Sequence, residues 1–465
     1  MSLFVLVAKY SSPQRHEDAK AHKEIHQMEI DKTTLNDLAV FNTEEDFSIF
    51  NFIDQTLTSN GKEQLRKNLR VPLNSIEDIT GIQQTLKLIL EKQQVWPRLI
   101  SNGSIMVVER FYDSNIDLIP ANASSLSAYS YKFLHGPDFA LVKYSVTHCF
   151  DLIKGMNQLV KEFLKEGCPT PFKKILGEIK KIISHEEFKL ISSNHKASDL
   201  PLPQTLQLAH FILYKFKINM LSLLRMHAQL DAWYGMAMAV KKYDLVFPEF
   251  TESTQPFIEV TGLYHILLRD ATAYDVTMNR QTNFLFLTGA NMAGKSTFIK
   301  SVGISVFLAH IGMAVPVKKM ELSLFDGMLS NINVIDNIAR GESYFFNEVQ
   351  RIKATIQKVN DGRKWLILID ELFKGTNVQD AMKCSSAVIE GLLKIKNSLF
   401  ILSTHLYEIA DALKVHPNIN FNYFETTVQN EQLVFNYQLR KGISNDRFGY
   451  LILKKEGVVK MLEEL

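Results

Sequence analysis

The chain has 465 residues, which is too many for one hydrophobic core, so we expect two or three domains. Its 46% hydrophobic and 22% charged residues are typical of a globular protein, and 52 basic against 50 acidic residues exclude a strongly basic nucleic-acid-binding chain. The three cysteines form no CxxC pair, which argues against a disulfide framework or a zinc site and predicts a reducing, cytoplasmic location.

Helical patterns fill the first half of the chain. Residues 1–27 are polar and aperiodic and predict an N-terminal arm. From about Asp46 apolar residues recur at helical spacing, and residues 28–250 together predict an all-α core and lever domain. Within it, residues 100–137 look rich in loops, and residues 138–192 predict two or three helices broken at "EGCPTPF".

The longest helical pattern runs from Gln204 to Lys242. It contains no proline and a single glycine, Gly235, and prolines stand on both sides of it. A continuous helix of this length would span roughly 55–60 Å, at about 1.5 Å per residue. Periodicity alone leaves two interpretations open, a long bundle helix or a lever that carries motion between distant sites.

The second half, residues 251–465, predicts an α/β domain. The runs "NFLFLTG", "WLILID" and "LFILSTH" alternate with helical stretches, which indicates a mostly parallel sheet covered by helices. The runs "FNYFETTV" and "LVFNYQL", separated by "QNE", predict a hairpin at a sheet edge. The uncharged stretch 301–317 is slightly short for a bilayer and predicts a buried helix rather than a membrane span.

One loop matches a nucleotide-binding pattern without a mismatch. "GANMAGKS", residues 289–296, is GxxxxGK[ST], and it lies between an apolar run and a helical pattern, as phosphate binding requires. Its N–H groups and the start of the next helix would hold ATP phosphates, Lys295 would reach the β- and γ-phosphates, and the Ser296 hydroxyl would bind Mg²⁺. The predicted nucleotide-binding residues of this loop are Gly289, Ala290, Asn291, Met292, Ala293, Gly294, Lys295, Ser296 and Thr297.

Two later strand ends carry polar residues that suit hydrolysis. "WLILIDE" ends in Asp370, which can hold Mg²⁺, and Glu371, which can polarise the attacking water. His405 follows the next strand-like run and can sense the γ-phosphate. Taken alone, each could be an ordinary loop residue, but the preceding phosphate loop favours catalytic roles for Glu371, His405 and Lys295.

The combination of motifs resembles the MutS family of DNA mismatch repair ATPases in the ABC superfamily. "TGANMAGKST" is similar to its phosphate loop, "NIARGESYFFNEVQRI" to its signature segment, "IDELFKGTNVQDA" to its acidic strand end, and "STHLYEI" to its switch histidine. "GISNDRFGYLILKKEGV" resembles its C-terminal segment, and "MEIDKTTLNDLAVF" the start of its helical core. The resemblance covers about residues 28–465 and implies a helical core with long lever helices joined to an ABC-type P-loop ATPase domain.

The resemblance also implies a homodimer with nucleotide between paired ATPase domains. Ser343 would approach the γ-phosphate held by a partner, although a serine there could equally cap a helix. Asn291 matches a position that supports nucleotide and water, and Thr376 and Asp380 match the loop that crosses the dimer contact.

Some features depart from the family pattern. Only 27 residues precede the core, and Phe247-Pro248-Glu249 lies in the wrong place for the family's Phe-x-Glu mismatch wedge, so we expect a short form without the mismatch-reading, connector and clamp domains. Ala293 replaces a glycine, and Lys374 stands where arginine is usual. Neither change removes a phosphate-contacting group.

Two functions remain open on the sequence. The first is an ATPase that engages double-stranded or branched DNA in repair or recombination, with candidate contacts in Leu65–Arg70, Lys180-Lys181 and Lys241-Lys242 that could also be solvated helix faces. The second is a nucleotide-switched scaffold for a protein partner, without mismatch recognition. A transporter-type ABC ATPase is disfavoured because no "SGGQ" string occurs. We do not expect the protein to bind a membrane.

Overall fold

The structure is a computed structural model and describes residues 27–41, 47–333, 344–429, 432–444, 453–454 and 457–463. Helices dominate up to residue 243, and the strands of two sheets follow. The described helices are α1 (Lys32–Asp37), α2 (Ile49–Ile53), α3 (Ser59–Leu69), α4 (Ile76–Glu91), α5 (Asn102–Phe111), α6 (Ser125–Leu134), α7 (Gly136–Phe163), α8 (Thr170–Ile183), α9 (Lys189–Ser193), α10 (Leu202–His210), α11 (Lys217–Tyr243), α12 (Lys295–His310), α13 (Tyr344–Val359), α14 (Val378–Leu392), α15 (Ile409–Leu413) and α16 (Val458–Glu463).

The strands form a seven-stranded and a four-stranded sheet. They are β1 (Glu29–Ile30), β2 (Glu249–Phe250), β3 (Ile258–Leu263), β4 (Tyr274–Met278), β5 (Phe284–Thr288), β6 (Lys319–Leu322), β7 (Gly327–Asn331), β8 (Trp365–Asp370), β9 (Ser398–Ser403), β10 (Ile419–Gln429) and β11 (Gln432–Lys441). The larger sheet has the order β1-β7-β8-β9-β5-β10-β11 and is parallel except for the β10–β11 hairpin at its edge. The smaller sheet has the order β2-β6-β3-β4.

The central strands β5, β8 and β9 of the larger sheet are buried on both faces, which is why they are mostly apolar. Alternate residues of β5, β8 and β9 point to opposite faces, as the two-residue period of a strand requires. Leu285 and Leu368 belong to the core that contains α12, whereas Phe286 and Ile369 pack in the cluster that holds α14 and α15. The predicted parallel sheet and edge hairpin are confirmed.

The helical half contains three predicted features that can be compared with the structure. Residues 138–192 form two long helices and one short one, as predicted, with the break between α7 and α8 at "EGCPTPF". The prediction of a loop-rich segment at 100–137 is wrong, because it holds α5 and α6. Each of these is only ten residues long and is capped by a serine, Ser101 or Ser124, so their periodicity is brief.

The predicted continuous helix from Gln204 to Lys242 is also wrong. The helix α10 ends at His210, a wider π-helical turn covers Phe211–Lys215, and α11 begins at Lys217. The rings of Phe211 and Phe216 pack around Phe188, with centroids 5.5 and 4.7 Å away. A π-turn adds one residue to a helical turn. The apolar pattern on both sides remains helical, so the periodicity of the sequence does not reveal the interruption.

Hydrogen bonds and a strand pairing join the helical half to the α/β half. The N–H of Leu73 donates to the His310 carbonyl at 2.7 Å, and the Leu73 carbonyl lies 2.7 Å from His310 Nδ1, at the end of α12. Near the start of the chain, β1 pairs in parallel with β7 at the edge of the larger sheet. The segment predicted to open the helical core therefore contributes a strand to the α/β half.

No helix in the described part of the chain has the length and apolar character needed to cross a bilayer. The uncharged stretch 301–317 begins inside α12. Its first part, Ser301–His310, is helical, and every residue there is buried. The prediction of a buried helix is confirmed.

Candidate functional site

The predicted phosphate loop joins β5 to α12 and depends on two glycines. Gly289 has φ +140° and Gly294 has φ +104°, a region that residues with a side chain rarely adopt. A Cβ at Gly289 would also come within 3.2 Å of the Phe424 backbone oxygen on β10. Met292, between them, has φ +69° and a largely exposed side chain. The loop is thus held in a conformation that its glycines make accessible.

Lys295 begins α12 and is buried, with its ammonium group turned back onto the loop. Its Nζ donates to the carbonyls of Gly289 at 2.9 Å and Ala290 at 3.0 Å. Burial lowers the pKa of Lys295, and the charges of Glu371 and Asp370 oppose that shift. Two neutral carbonyls compensate a buried cation only in part, so this site favours an anion beside Lys295.

Ser296 and Asp370 meet at the bottom of the same site. The Ser296 hydroxyl donates to Asp370 Oδ2 at 2.5 Å, and the Ser403 hydroxyl at the end of β9 donates to the other Asp370 oxygen. A hydroxyl and a carboxylate are oxygen donors of the kind that Mg²⁺ prefers. The side chains present therefore fit a small hard cation.

Glu371, the residue after β8, lies beside two basic side chains. Its Oε1 lies 3.2 Å from His405 Nδ1 and its Oε2 lies 3.0 Å from Lys374 Nζ. Burial alone would raise the pKa of Glu371, but the hydrogen bonds and charges of His405 and Lys374 outweigh it and hold this pKa at about 2. The backbone has φ +61°, which costs on the order of 1–3 kcal/mol for a residue other than glycine.

These groups share one cavity of about 610 Å³. Its polar side is lined by Lys295, Ser296, Asp370, Glu371 and Lys374, together with the predicted loop residues Asn291, Met292, Gly294 and Thr297. The structure therefore brings together the predicted loop, the two acids and, through its contact with Glu371, His405. The cavity lies at the carboxyl ends of β5 and β8, where parallel sheets usually bind ligands.

Other predicted residues lie elsewhere or have other contacts. Ser343 lies outside the described residues. Asp380 accepts from Asn377 Nδ2 at 2.6 Å and donates its N–H to Asn377 Oδ1 at 3.0 Å, so it belongs to the cap of α14, immediately after Thr376.

Several of the candidate DNA contacts have partners within the chain. The Arg66 guanidinium lies 4.1 Å from the Phe50 ring, Lys181 pairs with Glu178 at 2.7 Å, and Lys241 donates to Gln93 at 2.8 Å. These contacts are typical of solvated helix faces and do not favour the DNA interpretation of these positions.

Sequence reasoning missed three parts of the site. Ser403 directly precedes the "TH" of the third strand end, a position that could have been inspected for its hydroxyl. Glu348 accepts the N–H groups of Lys374 and Gly375 in the turn after Glu371. It occupies an apolar-face position of α13, between Phe345 and Ile352 at helical spacing, and this lone acid was a readable signal.

The third missed part is a further portion of the cavity lining. It consists of Leu268–Thr272 and Tyr437, and Tyr437 adjoins Gly294 of the phosphate loop. Tyr437 reaches it because the β10–β11 pairing shifts register between Phe424 and Thr426, and Tyr437 itself has φ +53°. No local pattern in the sequence predicts a bulge of this kind.

Comparison with known proteins finds relatives for a large part of the chain. The family model for MutS domain V matches residues 285–463, from β5 to α16. The chain is 28% identical over 243 residues to the DNA mismatch repair protein MutS of Lactococcus lactis subsp. cremoris (strain SK11), covering 51% of this chain and 29% of the relative. It is 27% identical over 253 residues to the protein of the same name from Petrotoga mobilis (strain DSM 10674 / SJ95), covering 54% and 30%.

A third relative matches over a longer region. MutS protein homolog 4 of Homo sapiens is 28% identical over 313 residues, or 63% of this chain and 31% of the relative. The chain thus spans less than a third of the length of these curated relatives. The residues that the family model matches include the phosphate loop, both acids and His405, so this part of the chain is similar to MutS domain V.

Proposed function

We propose that this protein binds ATP with Mg²⁺ in the cavity at β5 and β8 and hydrolyses it to ADP and phosphate. The observation that carries the proposal is the convergence of Lys295, Ser296, Asp370 and Glu371 on one cavity beside a glycine-bounded loop. A cation, two oxygen ligands and a carboxylate are the set that phosphoryl transfer to water needs.

The phosphates of ATP would lie along the loop at the start of α12. Backbone N–H groups and the positive end of the helix favour anions at this place. Lys295 would exchange the carbonyls of Gly289 and Ala290 for the β- and γ-phosphate oxygens, which returns a full negative partner to a buried cation.

Ser296 and Asp370 would hold Mg²⁺ through their oxygens, in place of the hydrogen bond that now joins them. When bound, the ion neutralises charge that develops on the phosphates. Ser403 keeps the Asp370 carboxylate oriented, because its hydroxyl donates to the oxygen that does not contact Ser296.

Glu371 would orient and polarise the attacking water. With a pKa of about 2, this carboxylate stays ionised at neutral pH, so it accepts a hydrogen bond strongly but is a weak store for a proton. His405, which contacts Glu371 at 3.2 Å, is placed to respond to the loss of the γ-phosphate on that side of the cavity.

The adenine ring would lie against Tyr437. This residue provides an aromatic face next to Gly294, and the Leu268–Thr272 segment, which includes Arg269 and Asp270, also lines the cavity. Stacking on such a face suits any purine, so Tyr437 contributes affinity for the base rather than strong selectivity.

A second copy of the chain would complete the site. Leu268 and Met292 line the cavity yet are 50% and 73% exposed, and Val378, which begins the helix after the Glu371 turn, is 61% exposed. Apolar side chains of this size around a polar cavity are typical of a surface that a partner covers. In this arrangement Ser343, Thr376 and Asp380 belong to the contact between the copies.

The likeness to DNA mismatch repair proteins supports a coupling of ATP use to double-stranded or branched DNA. Nucleotide-driven movement of α12 would pass to the helical half through the paired hydrogen bonds between His310 and Leu73. This function predicts ATP turnover that DNA stimulates and an affinity for DNA that falls with salt. Turnover and affinity that no duplex or junction changes would count against it.

A second candidate is a nucleotide-switched scaffold that binds a protein. The ion pair between Lys181 and Glu178 at 2.7 Å favours it, since this charge already has a partner within the chain. Affinity purification with and without ATP separates the candidates. A stoichiometric protein partner without nucleic acid supports the scaffold.

The primary test is ATP binding by the Lys295→Ala variant. We expect the wild-type protein to bind and hydrolyse ATP and the variant to lose binding, because a buried cation facing the phosphates is removed. Equilibrium titration with a fluorescent ATP analogue measures this. Lys300→Ala is the matched control, because Lys300 lies on the same helix outside the cavity lining and its loss should leave binding unchanged.

A further inference from the structure

The turn that follows Glu371 has an unusual backbone. Glu371 and Phe373 both have φ +61°, although neither is a glycine. Residues with a Cβ keep this conformation only where surrounding contacts impose it. Something outside the turn therefore holds it, and the contacts of the neighbouring helix identify the group.

Glu348 on α13 makes these contacts. Its side chain is buried at 5% exposure, and its Oε1 accepts the N–H of Lys374 at 3.2 Å while its Oε2 accepts the N–H of Gly375 at 3.3 Å. Phe345, one helical turn earlier, places its ring 5.7 Å from that of Phe373. Two residues one helical turn apart on the same face of α13 thus contact this turn.

The helix that carries Glu348 is itself anchored. One turn further along, Arg351 donates to Asp37 Oδ2 at 3.1 Å, to the Ser330 carbonyl at 2.7 Å and to the Asn333 carbonyl at 3.0 Å. Asp37 on α1 is buried and also accepts from the Ser330 hydroxyl at 2.6 Å. These bonds attach α13 to the end of β7 and to α1, so Glu348 is a fixed point for the turn.

We propose that Glu348 is a positioning residue for ATP hydrolysis, which sets the turn from Glu371 to Gly375 and so aims the Glu371 carboxylate into the cavity. The link is short: Glu348 binds the backbone of Lys374, and the side chain of Lys374 binds Glu371 at 3.0 Å. This role rests on the proposed ATPase function and adds to it a residue of α13 that does not line the cavity.

The kinetic test compares Glu348→Ala and Glu348→Gln with the wild-type protein. We expect kcat to fall by about 10- to 100-fold in Glu348→Ala, as small displacements of reacting groups do, with ATP affinity within about threefold because the phosphate loop is untouched. Glu348→Gln keeps one acceptor oxygen and should give an intermediate kcat.

Thr355→Val is the matched control. Thr355 is also a buried hydrogen-bonding residue of α13, which accepts from Asn331 at 3.3 Å, but it has no contact with the turn. This variant should lose stability without a comparable loss of kcat. Equal losses of kcat in Thr355→Val and Glu348→Ala, or a parallel loss of kcat and ATP affinity in the latter, would overturn the positioning role.

Hydrogen exchange gives a second readout that needs no turnover. In Glu348→Ala the amides of Lys374 and Gly375 should exchange faster than in the wild-type protein, whereas Thr355→Val should retain their protection. Unchanged protection in Glu348→Ala refutes the inference. A wild-type protein that binds ATP without hydrolysing it would refute the proposed activity instead, and exchange alone would then decide whether Glu348 sets the turn.

Discussion

The charged and polar groups at the cavity each have a partner within the chain. Lys295 donates to loop carbonyls, and Ser296 donates to Asp370. The Glu371 carboxylate contacts His405 and Lys374. Burying unpaired charge is costly, so these internal partners keep the site folded before the nucleotide arrives. The same contacts mean that binding requires local exchange of hydrogen bonds rather than assembly of the site from separate parts.

At the residue scale, Glu371→Gln separates binding from hydrolysis. The amide keeps the size of the side chain but cannot accept from water with full negative charge, so we expect ATP to bind while turnover falls by about 10²- to 10⁴-fold. Nucleotide titration and single-turnover hydrolysis measure the two quantities. Glu390→Gln, an exposed acid on α14, is the control. Normal turnover in Glu371→Gln would remove Glu371 from the reaction.

At the scale of elements, α11 packs closely against α3 and the residues before it. A glycine lies at each of two contacts, Gly61 on α3 and Gly235 on α11. A Cβ on Gly61 would overlap the Asp231 carboxylate, which accepts the N–H groups of Leu57 and Thr58 at 2.9 Å each. A Cβ on Gly235 would lie 2.7 Å from Thr56 Cγ2 and 2.9 Å from the Thr56 nitrogen. Asp231 of α11 thus binds the two residues that precede α3, including its N-cap Thr58, and the glycine at position 61 leaves room for the carboxylate.

This packing predicts that Gly235→Ala destabilises the protein. Backbone atoms of Thr56 leave little room, so we expect a loss of about 1–3 kcal/mol in the free energy of unfolding, as for other overpacked contacts. Gly177→Ala on α8 is the matched control, since a Cβ there meets nothing within 4 Å and should stabilise by about 0.5–1 kcal/mol. Urea unfolding compares both. Equal stabilities would show that α11 can shift away.

On the scale of the whole molecule, the hydrogen bonds between His310 and Leu73 link the helix after the phosphate loop to the helical half. The Nδ1 of His310 faces the Leu73 carbonyl at 2.7 Å, and its Nε2 lies 3.4 Å from the N–H of Phe325, an arrangement that suits the neutral ring. Burial lowers the pKa of His310 to about 4. Protonation would turn the acceptor Nε2 into a donor and break the contact with Phe325.

The lowered pKa of His310 predicts that acid reduces the free energy of unfolding. The pKa of His310 is depressed in the folded state, so the unfolded chain binds more protons between pH 6.5 and 4, and stability falls as pH drops through that window. From pH 7 to pH 5 this one group should cost about 2 kcal/mol. Urea unfolding at both pH values measures the loss.

His310→Gln provides the comparison for that measurement. The variant should be less stable at pH 7 but should lose less on going to pH 5, because the titrating ring is gone. His227 and His265, whose pKa values burial also lowers to about 4, remain in both proteins and contribute equally. The same pH dependence in variant and wild-type protein would show that His310 does not titrate in this range.

A second prediction for the whole molecule concerns association. The exposed apolar residues at the cavity, Leu268, Met292 and Val378, should be covered by a second copy when ATP is held. We expect Glu371→Gln to form a dimer with ATP and Mg²⁺ and to dissociate without them, whereas Lys295→Ala should stay monomeric. Analytical ultracentrifugation measures both. A Glu371→Gln protein that remains monomeric at all ATP concentrations would contradict the proposed shared site.

The sheet and the loop were predictable because local patterns encode them. Three apolar runs identified the central strands, and GxxxxGK[ST] identified the turn between β5 and α12. The helical half was less predictable. The π-turn at Phe211–Lys215 adds a residue without disturbing the apolar period, and α5 and α6 are too short to show one. The domain boundary at residues 250 and 251 stays a prediction, since β1 and β2 pair with strands of the α/β half.

The amino-acid sequence alone determined the chemistry of the site, because Gly289, Lys295, Ser296, Asp370 and Glu371 follow apolar strands whose carboxyl ends must meet at one edge of a parallel sheet. Only the tertiary structure decided how that chemistry is held. Glu348 reaches the Glu371 turn, Asp37 reaches Arg351, and Tyr437 reaches the cavity through a bulge. These contacts join residues far apart in the chain, and packing rather than any local pattern selects them.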